Sequence, residues 1–175
     1  MEADGQQHCI QVDMRKRLIS SSGQVTSPLT TDWLELKDVA LVEVTSEADG
    51  YPIEGALLPD QERGWCAGTP GPQIIRLLFD HPQTIHTIRL LFREYESART
   101  QEFLLRWLPH GMESWKDVVR QQWNFSPPDT AEECEEYKVD LASAAALELS
   151  IIPDMSQQGV RASLDELRLS AREQP

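Results

Sequence analysis

The chain has 175 residues and a formal charge of −13 at pH 7, with 29 acidic residues against 16 Lys and Arg and an apolar fraction of 40%. That length and apolar content suit one compact domain with an extension rather than two domains, and the acidic excess repels phosphate backbones and anionic lipid, which speaks against nucleic acid as a partner. No run approaches the roughly 20 apolar residues that cross a bilayer, and the start MEADGQQHCIQVDMRKR lacks the apolar stretch of a signal peptide, so no membrane insertion is expected and the expected compartment is the cytoplasm.

Residues 1–35 read as a polar, partly flexible N-terminal extension, with SSSGQVTSP as a loop and MRKR, Met14 to Arg17, as a basic surface patch. Cys9, Cys66 and Cys134 are odd in number and widely spaced, which predicts free thiols rather than a disulfide framework or a zinc knuckle. The acidic neighbours of Cys134 in EECEE disfavour its thiolate.

From residue 36 to 172 the dominant pattern is alternation, which predicts half-buried strands. Val42 and Val44 share one face, as do Ile75, Leu77 and Phe79, then Ile88, Leu90 and Phe92, then Phe103, Leu105 and Trp107. Leu147, Leu149 and Ile151 form another set, and Leu167 and Leu169 a last one with Glu166 and Arg168 outward. WKDVVRQQW and EEYKVDL are weaker strands; PIEGALL, Pro52 to Leu58, allows one isolated helical turn. Breakers at Asp80 to Pro82, Pro109 to Gly111, Ser126 to Asp129 and Pro153 to Gly159 read as turns between strands. About eight antiparallel strands with almost no helical period predict an all-β sandwich.

The order of TSEADGYPIEGALLPDQERGW, TIHTIRLLF, FLLRWLPHGMESWKDV, ALELSII and SLDELRL resembles the discoidin-type, galactose-binding-like jelly roll over Val39 to Ser170. The resemblance implies a binding module, commonly for carbohydrate, and sets Trp65 where that family closes its core. It also implies a turn before the early Trp where oxygens hold a structural calcium. The matching stretch here, LLPDQERGW, is less regular and has Asp60 and Glu62, with Glu166 as a distant partner. No cofactor is otherwise required.

If consecutive strands alternate in direction, their connections alternate between the two ends of the sandwich. The long segments Ser46 to Pro72, Tyr95 to Thr100, Asn124 to Glu133 and Pro153 to Val160 then share one end, and the turns at His81, His110 and Ala142 to Ala145 the other. Long loops on a rigid scaffold carry function, so the candidate ligand residues are Arg63, Trp65, Glu94, Tyr95, Arg99, Trp123, Asn124, Asp154 and Arg161. Aromatic faces stack on the C–H patches of a pyranose, while Arg, Asn and carboxylates meet its hydroxyls. Each has a plainer use: Trp65 in the core, Arg99 and Arg161 in ion pairs, Tyr95 as a strand-end anchor. Alternation through WKDVVRQQW leaves the facing of Trp123 open, to core or to ligand.

The histidines show no HExxH spacing, CAGTPGPQ lacks the Lys of a phosphate loop, and no base is oriented by a second group, so no enzyme is expected. The function read from the sequence is a non-catalytic module that recognises carbohydrate at the loop end. The alternative is a cytoplasmic protein–protein interaction module or accessory subunit on the same fold, so the partner is a glycan or a protein.

Overall fold

A computed structural model describes residues 33–171. The N-terminal extension before residue 33, with its basic patch at Met14 to Arg17, lies outside the described residues. A one-turn helix α1 (Leu36–Val39) leads into β1 (Ala40–Val44), and α2 (Glu54–Leu57) precedes the short β2 (Trp65–Cys66). Then follow β3 (Gln73–Arg93), β4 (Arg99–Pro109), β5 (Lys116–Phe125), β6 (Glu132–Ile152), β7 (Ser163–Leu164) and β8 (Glu166–Ser170). Every pairing among these strands is antiparallel.

The alternation read from the sequence falls on the expected faces. Val42, Ile75, Leu77, Ile88, Leu90, Phe92, Phe103, Leu105, Leu147, Leu149, Ile151, Leu167 and Leu169 are all buried in one core. The helical turn in PIEGALL forms as α2.

One expectation changes. The breaker at Asp80 to Pro82 and the turn expected at Ala142 to Ala145 do not separate strands, because β3 and β6 continue through them as single elements of 21 residues each. The two irregular stretches lie opposite each other in the ladder, with Gln83 paired to Ala144, and the register slips in steps between Leu78 and Thr87. A proline without an N–H and Ser143 at φ +61 therefore fold a paired ribbon back on itself without ending its ladder.

That bend makes the two layers. Before it, β3 pairs with β1 and with the end of β6, which continues to β4 and β5; after it, β3 pairs with β8 and the start of β6. Phe92, on the second half of β3, meets Phe103 of β4 at 5.7 Å and Trp123 of β5 at 5.1 Å, although β3 is hydrogen-bonded to neither strand. The ribbon is thus folded over the core, a jelly-roll sandwich. Both of its ends come to the same pole: Gly71, just before β3, donates to the Val160 carbonyl, and Glu94, just after it, donates to that of Ala131. The β4–β5 turn and the ribbon bend share the opposite pole, where the His110 N–H donates to Ser143 O.

Candidate functional site

The pole that holds the long loops is organised by one buried cation. Arg99 opens β4 facing inward, where strand alternation sets it two residues before Gln101 and four before Phe103. Its Nη1 donates to Arg161 O at 3.1 Å and its Nη2 to Ser163 Oγ at 3.4 Å, while Nε lies 3.1 Å from Glu94 Oε2. The guanidinium also lies 5.8 Å from the centre of the Phe125 ring. Burial pulls the Arg99 pKa below its ordinary value, and the charges of Glu94 and Asp154 oppose that shift. Arg99 therefore ties the loop after β3, the end of β5 and the segment before β7 into one body.

The carboxylates at this pole shape loops. Glu94 Oε1 accepts from the backbone N–H groups of Glu96 and Ser97 at 2.7 and 3.1 Å. Asp154 Oδ1 accepts from both the N–H and the hydroxyl of Ser156 at 2.8 Å, which closes a turn after β6. The Ser156 N–H bond, with lesser help from the Arg99 charge, holds the Asp154 carboxyl below the usual range for an aspartate. The Met155 N–H then donates to Thr100 O at 2.8 Å, which locks this turn against β4.

Between that turn and the Pro70–Gly71–Pro72 segment runs a groove of about 520 Å³, lined on its other side by residues 152–159. Proline rings and Met155 give it apolar surface, and Ser156, Gln157 and Gln158 give it hydroxyl and amide groups. Arg161 is exposed two residues beyond the groove, and Tyr95 stands 66% exposed on the neighbouring loop. This is a mixture that can stack on C–H surface and exchange hydrogen bonds with hydroxyls.

Of the residues singled out in the sequence, Glu94, Arg99, Asp154 and Arg161 come together here, with Tyr95 beside them. Trp65 and Trp123 do not offer a face to a ligand. Trp65 is 1% exposed and spends its indole N–H on Ser46 O at 3.1 Å; Trp123 is 6% exposed and packs among Phe92 and Phe103. Asn124 points to the outer face of the sheet, where its Oδ1 accepts from the Thr100 hydroxyl at 2.8 Å. Arg63 stands apart from Arg161: the antiparallel β2–β7 ladder pairs Trp65 with Leu164 and Cys66 with Ser163, so Arg63, before β2, and Arg161, before β7, flank opposite ends of it. Arg63 instead covers Tyr51 at 5.5 Å.

Tyr51 and Met155, 40% and 48% exposed, were not singled out by sequence reasoning. For Tyr51 a signal existed: an aromatic residue between Asp49–Gly50 and Pro52 sits in a turn, not on a strand face. The expected calcium carboxylates are also separated in role. Asp60 is exposed, whereas Glu166 lies near Arg89 and Arg168, and among the described residues no group of three or more His, Cys, Asp or Glu is placed to hold a metal.

No family model and no curated protein matches the sequence. The structure is similar to the CBM32 module of AlyQ in complex with 4,5-unsaturated mannuronic acid, with a TM-score of 0.55, 16% identity, and 75% of this chain and 95% of that one covered. It is similar to a pectin-binding carbohydrate-binding module, with a TM-score of 0.53, 19% identity, and 79% and 95% covered. A third similar structure, a Clostridium perfringens CBM32 module in complex with GalNAc-β-1,3-galactose, has a TM-score of 0.53, 19% identity, and 74% and 94% covered. At these identities the likeness establishes the fold, the galactose-binding-like jelly roll of the CBM32 modules.

Proposed function

We propose that the chain is a non-catalytic carbohydrate-binding module of the discoidin-like kind, and that its glycan lies in the groove between Pro70–Pro72 and the turn 153–159. The observation that carries this reading is the groove itself: a cleft with apolar walls and an amide-bearing rim, at the pole where the long loops gather, on a fold shared with solved carbohydrate-binding modules. Proline and Met155 surfaces would receive the C–H face of a sugar, and Gln157 and Gln158 its hydroxyls, with Arg161 and Tyr95 at the margin. Such shallow sites lose much of their hydrogen-bond gain to desolvation, so the affinity per site is modest and multivalent display raises it.

A glycan array followed by calorimetric titration of the best ligand tests this. Gln157→Ala and Met155→Ala are each expected to weaken binding about 5- to 10-fold, the value of one hydrogen bond or one stacking contact. Met112→Ala, exposed in the β4–β5 turn at the other pole, is expected to change nothing. A blank array, or equal losses from both poles, contradicts the proposal. The exposure of Met155 and Tyr95 on adjoining loops also favours a protein partner as a second reading, which a partner captured by the wild type and lost with Met155→Asp would support.

A further inference from the structure

In the family that the sequence resembles, a structural calcium is held by oxygens in the loop before the early Trp, and the carboxylates of this chain that could take that part are Asp60 and Glu166. In the structure an arginine bonds to the start of that loop. Arg168, on β8, reaches to the end of α2, where Nη1 donates to the carbonyl of Ala56 at 3.1 Å and Nη2 to that of Leu58 at 2.7 Å. Nη1 also lies 3.2 Å from Leu167 O, and Glu166 Oε2 lies 3.7 Å from Nη2. Glu166 Oε1 makes no hydrogen bond but faces Arg89 Nε at 3.4 Å. The charge of Asp60 acts on the same guanidinium.

Carbonyl and carboxylate oxygens together are the donor set a hard divalent cation takes. Here they converge on a group that already carries a positive charge and, unlike calcium, is covalently part of the last strand. A divalent ion among these oxygens would sit against two guanidiniums, Arg168 and its ladder partner Arg89. The loop has little slack to rearrange around one: a Cβ on Gly55 would lie 2.3 Å from Arg63 O, and one on Gly64 2.4 Å from Leu164 O, so α2, the turn and β7 are already in backbone contact.

The geometry points to Arg168 as an internal cation that fixes the α2 loop to β8 in place of a metal, making the fold of this chain indifferent to calcium. This stands apart from the ligand groove and does not depend on it. The test is thermal unfolding of the full chain with millimolar CaCl₂ or with EDTA at matched ionic strength, together with calorimetric titration of calcium into the wild type. Equal melting temperatures and no saturable calcium heat are expected. Arg168→Met is expected to melt about 5 °C lower in both solutions, since it removes the charge-assisted hydrogen bonds to Ala56, Leu58 and Leu167 and leaves Glu166 with one fewer partner. Glu166→Gln provides a milder variant, expected to melt lower and to remain indifferent to EDTA. Calcium-dependent stabilisation of the wild type that Glu166→Gln abolishes would overturn the inference, as would an Arg168→Met protein as stable as the parent.

Discussion

Arg99 and Asp154 show how the loop pole is held together by buried side chains. The Arg99 side chain is 3% exposed and reaches a carboxylate, an aromatic ring, and a carbonyl and hydroxyl of one further segment, so it joins three segments. It is a positioning residue. Asp154 matters through a turn, and its depressed pKa carries a pH dependence whose sign is fixed. Because the folded value lies below the unfolded value of about 3.9, its contribution is fully present above that unfolded value and is lost as pH falls through the folded one. Urea denaturation between about pH 6 and about pH 2.5 is expected to show the wild type losing more stability than Asp154→Asn, whose amide cannot titrate. Parallel losses in the two proteins would mean that the Ser156 hydrogen bonds do not favour the ionised form.

The bent ribbon of β3 and β6 is where element-scale reasoning from sequence both succeeded and stopped. Ser143 sits in the bend at φ +61, a conformation costly for a residue with a Cβ, and its carbonyl accepts from His110. Ser143→Gly is expected to stabilise the protein by about 0.5–1 kcal/mol, and Ser143→Val to destabilise it by more; chemical denaturation at neutral pH measures both. Alternation made the inward faces legible, because a half-buried strand writes its burial at every second residue. The breaker at Asp80 to Pro82 located one side of the bend and the parity of connections the other, but a proline or a positive-φ serine looks the same to the sequence whether it ends a strand or folds a continuous one. Facing fails for a related reason at Trp123, since VVRQQWNF carries polar residues on both parities while the buried positions turn out to be Trp123 and Phe125. Glu148 is the converse case. It lies on an outward parity yet is fully buried, because the register sets it between Arg76 and Arg106, to which it bonds at 2.6 Å each, while the Trp115 ring covers both guanidiniums at 5.6 and 5.2 Å. Such a site depends on cross-strand neighbours, and no local pattern encodes it. The groove belongs to the same class: the parity of connections brought its loops to one pole, but which side chains line it follows from Arg99 bonding to Arg161, about 60 residues on in the chain, a distance beyond any local period.

At the scale of the whole molecule, the decisive feature is that the two layers share strands. β3 and β6 each supply hydrogen-bond partners to both, so the β8 layer has no ladder of its own once the ribbon is removed, and the β1–β5 layer loses its centre. The core lies between them, with Phe92 from one layer against Phe103 and Trp123 from the other. Neither layer can keep its backbone groups paired while the other unfolds, and a buried unpaired group costs about 1–3 kcal/mol. The loop pole adds to this coupling, since Arg99 of one layer holds the segment that leads into β7 and β8. Unfolding is therefore expected to be a single cooperative transition. Far-ultraviolet circular dichroism, which reports the ladders, and tryptophan fluorescence, to which the buried Trp65 and Trp123 contribute, should give superimposable melts. The calorimetric enthalpy should equal the van't Hoff value, at about 100 kcal/mol for a domain of this size near 60 °C. A fluorescence transition that precedes loss of the ladder signal would mean that the ribbon does not couple the layers, and that the loop pole can open while the sheets remain folded.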